Sequence, residues 1–151
     1  MSRYWEAKEK YVSFYMVEPC SPASILDIEE NLIIGLLEDF KSISKFYSGG
    51  LLGGISHFSI GGGDDEFNVV NETLRLRRAI GLSNEYVALA EPAGSLIVLN
   101  VLHAPAVLWC DALDVGSLGA AGFSNFVDTW NTYEDFFLYL LQQEALERGG
   151  E

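Results

Sequence analysis

The side chains able to do chemistry in this chain are few, and their spacing suits no common reaction. There are two histidines, His57 and His103, and two cysteines, Cys20 and Cys110. A zinc site takes its ligands in close pairs such as C-x-x-C or H-x-x-x-H, and neither pairing is present. A nucleophilic triad needs a Ser or Cys brought beside a His and an Asp, but neither histidine stands in a recognisable motif. His57, next to Phe58, reads as a structural histidine rather than a ligand or base. Gly61-Gly62-Gly63-Asp64-Asp65 invites a phosphate-loop reading, which fails because no Gly-Lys-Ser/Thr follows. Two aspartates there would also repel a phosphate, and the segment offers too few alternating oxygens for a calcium loop. The carboxylate pairs Asp64/Asp65 and Glu134/Asp135 have the residue types of glycoside hydrolysis. Both fall where helices are expected to begin, and acids are favoured there by the helix dipole. Nothing in these residues demands an enzyme, a metal or a cofactor.

Periodicity and chain breakers give the elements that would carry these residues. Residues 1–21 form an N-terminal extension, in which a short element over residues 3–17, with Tyr4, Trp5, Tyr11, Phe14 and Tyr15, packs its aromatics onto the domain. Pro19 and Ser21-Pro22 break the chain; Ser24, with Asp27 three residues on, is expected to cap a helix that buries Ile25, Ile28 and Leu32. After Gly35, the spacing of Leu36, Phe40, Ile43 and Tyr47 predicts a second helix ending at Gly49-Gly50. His57-Phe58-Ser59-Ile60 predicts a strand, and Asp64, Asp65 and Glu66 the head of a third helix running towards Ile80 and stopped by Gly81. Residues 86–90, 96–101 and 106–111 read as strands of a meander. Thr132 and Asp135 offer a capping box before a helix whose Tyr133, Phe136, Phe137, Leu140 and Leu141 form a core stripe. Trp109, Trp130 and Cys110 are expected to be buried, and residues 148–151 to fray. The sum is one α+β domain over residues 1–151, a central, mostly antiparallel sheet flanked by helices, without repeat or linker.

Charge narrows the partners. Nine Lys and Arg stand against 22 Asp and Glu, a net charge of −13. Nucleic-acid binders carry basic patches that displace counterions from phosphate, and an anionic membrane would repel this chain. A basic protein would be attracted, chiefly through faster encounter; keeping a protein in solution is the plainer use of the same charge. No Lys or Arg occurs between Arg78 and Arg148, while nine acids fall in that stretch, from Glu85 to Glu147. Two cysteines are too few for a disulfide scaffold, the N-terminus has charges where a signal peptide needs an apolar core, and no apolar run approaches a membrane span. A cytoplasmic location is the expectation.

The order of these pieces resembles the SUKH superfamily over residues 22–146. Leu36-Leu37-Glu38-Asp39-Phe40, ending in Phe46-Tyr47-Ser48-Gly49-Gly50, is similar to the family's opening helix and turn, with Ser48 where Asn is usual. Asn71-Glu72-Thr73-Leu74-Arg75 leading to Tyr86-Val87-Ala88-Leu89 resembles its middle helix and strand. Residues 96–99 and 106–111 are similar to its paired strands, and residues 129–137 to its closing helix. The resemblance implies an immunity protein that neutralises a cognate, basic, nuclease-type toxin domain by direct binding, with no cofactor and no catalysis. It also admits a regulatory protein-interaction scaffold, and a small-ligand-binding or enzymatic domain stands as a third reading. It carries over no invariant contact residue; local acid density beside loops points to Asp64, Asp65, Glu66, Asp111 and Asp114 as toxin-binding residues.

Overall fold

The computed structural model describes residues 3–60, 66–111 and 128–149. The N-terminal segment is a helix, α1 (Tyr4–Phe14), which buries Ala7 and Tyr11 in the main core. Helix α2 (Pro22–Leu32) is capped by Ser21, whose side chain accepts from the Ser24 amide at 3.1 Å, so the cap lies three residues before the expected one. Pro22 opens this helix instead of breaking it, because the first helical position has no use for an N–H.

Leu36, Phe40, Ile43 and Tyr47 are all buried, as their spacing requires. The helix beneath them is much shorter than expected: α3 (Glu38–Ile43) passes into a tight turn in which the Phe46 amide donates to the Ile43 carbonyl at 3.0 Å. Gly49 and Gly50 therefore open a hairpin rather than close a helix. Gly49 has φ of 99°, and a Cβ there would lie 2.5 Å from the Phe58 carbonyl oxygen, so only glycine fits. The hairpin is β1 (Gly50–Leu52) and β2 (Ile55–His57), shorter and earlier than the strand expected at residues 57–60.

Helix α4 (Val69–Ile80) is capped by Asn68, which accepts from the Asn71 amide at 2.8 Å, and it ends at Gly81 in the left-handed region. The acid in its first turn is Glu72; Glu66 lies before the cap, so it does not serve as the helix head. Then come β3 (Tyr86–Ala90), β4 (Ser95–Asn100), β5 (Val107–Asp111), β6 (Asp128–Trp130) and α5 (Tyr133–Glu147). Thr132 caps α5 by accepting from the Asp135 amide at 3.0 Å.

The strands form one six-stranded sheet in sequence order, every neighbouring pair antiparallel. Its central strands are buried on both faces, which is why they read as continuous apolar runs without alternation. Val87, Leu89, Ile97, Leu99 and Val107 belong to the main core with α1, α2, α3 and α5. Tyr86, Ala88, Leu96, Val98, Leu108 and Cys110 form a second cluster with Leu76 of α4. The main core centres on Phe137, whose ring lies 5.1 Å from Tyr47 and 5.7 Å from Phe46. Trp109 and Trp130, on the last two strands of the sheet, are half-buried, not buried. Arg148, expected to fray, is held by Glu144 at 2.7 Å and lies over the ring of Phe14 at 4.8 Å.

Candidate partner-binding surface

The carboxylates of this chain sort into two kinds by what they touch. The first kind is tied to backbone amides of distant segments. Glu29 accepts from the Leu36 amide at 2.8 Å and takes Lys41 at 3.5 Å, fixing the connection between α2 and α3. Asp39 of α3 accepts from the Glu134 amide at 2.9 Å, satisfying a donor that the start of α5 would otherwise leave open. Glu134 in turn accepts from the Arg3 amide at 2.6 Å, where α1 begins. Glu144 accepts from the Gly53 amide at 3.0 Å, pinning the β1–β2 hairpin to α5. The Asp of Leu37-Glu38-Asp39-Phe40 thus has a physical role that the local sequence does not reveal: it locks two helices together.

Burial leaves its mark on these groups. It pushes the Asp39 carboxyl above its usual range, against the pull of the Glu134 and Phe40 amides. For Glu144 burial acts upward too, but the Gly53 amide, Arg148 and Tyr15 more than reverse it, and its pKa falls below the usual value.

The second kind is exposed. Asp111 ends β5 opposite Ser95, and Asp128 opens β6 opposite Trp109, so both lie at one end of the sheet. Glu91 follows β3 directly at that same end and pairs with Arg75 at 2.7 Å. Glu66 sits just before the start of α4, beside the bridge between Ser59 and Asn68. Glu66, Asp111 and Asp128 are exposed, and none has an ion pair among the described residues. Of the five residues singled out from the sequence, the structure thus places Glu66 and Asp111 on the surface. Asp64, Asp65 and Asp114 lie outside the described residues. Asp128 is not among those five, because an aspartate at the head of a three-residue strand carries no local signal.

At the opposite end, the loop after β4 is shaped by Asn100. Its Oδ1 accepts from the Leu102 and His103 amides at 2.9 Å each, and its Nδ2 donates to Glu85 at 2.9 Å. This loop, α3 and the start of α5 border a groove of about 650 Å³, whose walls come from three segments distant in the chain and so carry no local sequence signal.

His57 is half-buried as a residue, but its Nε2 is enclosed and has no hydrogen-bond partner among the described residues, between the rings of Tyr47 and Phe136 at 6.2 Å each. Burial pulls its pKa down to about 4, against an opposing contribution from the Leu52 backbone. It is a neutral packing residue. Cys20 is a free, half-buried thiol pushed up to about 11 by burial, which disfavours the nucleophilic thiolate. No group of three His, Cys, Asp or Glu among the described residues is arranged to hold a metal. No helix among them is long and apolar enough to cross a membrane.

A family model described as SMI1-KNR4 cell-wall, SUKH type, matches residues 5–137, most of the chain. The chain belongs to the SUKH family. No curated protein matches it. The SUKH match takes in all but the first residue of α1, so the N-terminal helix lies within the matched region, ahead of the residue-22 start read from the motifs. The antiparallel sheet flanked by helices agrees with the fold that the SUKH resemblance implies.

Proposed function

We propose that this SUKH domain is an immunity protein, which binds a cognate, basic, nuclease-type toxin domain and covers its active site. The observation that carries the reading is the exposed set Glu66, Asp111 and Asp128, which has no ion pairs among the described residues. Had the excess acid only fastened the fold, those carboxylates would be expected to meet amides or cations, as Glu29, Asp39 and Glu144 do. Exposed charge at low local counter-charge instead steers an oppositely charged partner and raises its encounter rate. The mechanism is occlusion by a preformed face, with no catalysis and no cofactor.

The test is coexpression with a toxin domain encoded beside this chain. Cells should survive the toxin, and the two proteins should co-purify in a complex whose affinity falls as salt rises. Unprotected cells and no complex would refute the reading. A complex indifferent to salt would retain immunity but remove charge steering. A second reading, a regulatory protein-interaction scaffold, is favoured by the cell-wall description of the matched family. A complex with a chain that is no toxin would support it.

A further inference from the structure

The groove beyond β4 differs from the open acids in being mainly apolar. Val101 and Ala106 form buried wall, Leu37 is half-buried, and Leu102 stands at the lip with 69% of its surface exposed. Three carboxylates, Glu38, Asp39 and Glu134, line the same space. Of the nearby cations, Lys41 reaches Glu38, one of these three, at 3.3 Å and Glu29, outside the groove, at 3.5 Å, and the Arg3 guanidinium reaches Glu6 at 3.0 Å. Asp39 receives backbone amides and no side-chain cation among the described residues. Glu38 has only a lysine shared with Glu29, and the two helix starts add at most roughly half a positive charge each, less for the short α3, so the groove stays negative around Glu38 and Asp39.

We propose that this groove receives one lysine or arginine side chain of the partner protein, its aliphatic stem along Leu37, Val101 and Leu102 and its head beside Asp39. The proposal rests on the reading of this chain as a protein-binding domain and adds a specific anchor to it. The chemistry follows from the two surfaces. A long cationic side chain is apolar along its stem and charged at its tip, and it lies along apolar walls with the tip at polar groups. A neutral apolar group would desolvate Asp39 further without compensating it, and an anion would be repelled. Burial raises the Asp39 carboxyl, and a docked cation would act the other way by favouring the ionised form.

The experiment uses the full chain, labelled with nitrogen-15, and two tripeptides blocked at both ends: glycine-arginine-glycine, and the same peptide with neutral citrulline. The arginine peptide is expected to give saturable shifts at the amides of Leu102, His103, Asn131 and Glu134, within about 10 mM. Citrulline should bind several-fold more weakly. Leu102→Lys, which places a cation at an exposed lip, should abolish the arginine shifts while leaving the melting temperature unchanged. No saturable shift at those amides, equal binding of both peptides, or shifts centred on Asp111 and Asp128 would each overturn the proposal. Toxin neutralisation by a chain that fails the peptide test would sink the anchor alone; peptide binding by a chain that fails to protect cells would sink the immunity reading alone.

Discussion

Where β4 runs into the loop towards β5, the neighbouring carboxylates are engaged: Asp39 holds the first turn of α5, Glu134 holds the start of α1, and Glu85 holds Asn100. At the other end of the same sheet, Asp111 and Asp128 face water, and Arg75 is drawn to Glu91. One residue type does two jobs. A carboxylate that accepts from a buried amide stabilises the fold, because the amide would otherwise lose water without a partner. A carboxylate in water contributes almost nothing to stability, and its field stays available to a partner. Net charge alone would not separate these two uses; the hydrogen-bond partners do.

The contrast is broken most strongly at Glu144. Glu144→Ala removes the acceptor for Gly53 and the partner of Arg148, and it should cost about 2–3 kcal/mol in denaturant unfolding. A loss below about 0.5 kcal/mol would show that the tied carboxylates are not structural. Next comes His57, a buried group on the structural side. Its pKa is depressed in the fold, so the unfolded chain binds its proton first as pH falls. Its contribution is therefore present above the unfolded value and is lost as pH drops from the usual histidine range towards about 4. Relative to His57→Phe, the natural chain should lose about 2 kcal/mol between about pH 7 and about pH 5. A gap constant with pH would place the imidazole in contact with water. Asp39→Ala should cost about 1 kcal/mol, the usual worth of a helix cap, and should appear as faster amide exchange in the first turn of α5. Smallest is the open end: Asp111→Asn with Asp128→Asn should change stability by less than about 0.5 kcal/mol.

The sequence made much of this architecture legible, and the misses share a cause. Residues 86–90, 96–101 and 106–111 were recognisable as strands because they are buried on both faces, and Gly81 and Thr132 marked helix boundaries by local chemistry. Three-residue strands such as β1 and β6 are too short for periodicity to register. Pro22 misled because proline signals a break except at the first helical position, and that position is known only once the cap is known. The engaged carboxylates were invisible for a different reason: Asp39 and Glu134 are 95 residues apart in the chain, and Glu134 and Arg3 are 131 apart. Charge counting found the exposed acids Glu66 and Asp111 but could not tell them from Asp39, since a carboxylate's partners are a property of the fold.

The division of labour between the two ends is tested most directly by the association rate of the toxin domain with Glu66→Gln, Asp111→Asn, Asp128→Asn, measured across ionic strength against the natural chain. Loss of steering should slow association by about three- to tenfold at low salt and flatten its salt dependence, with the unfolding midpoint unchanged. Association as fast and as salt-sensitive as before would contradict the assignment of those three carboxylates to the partner.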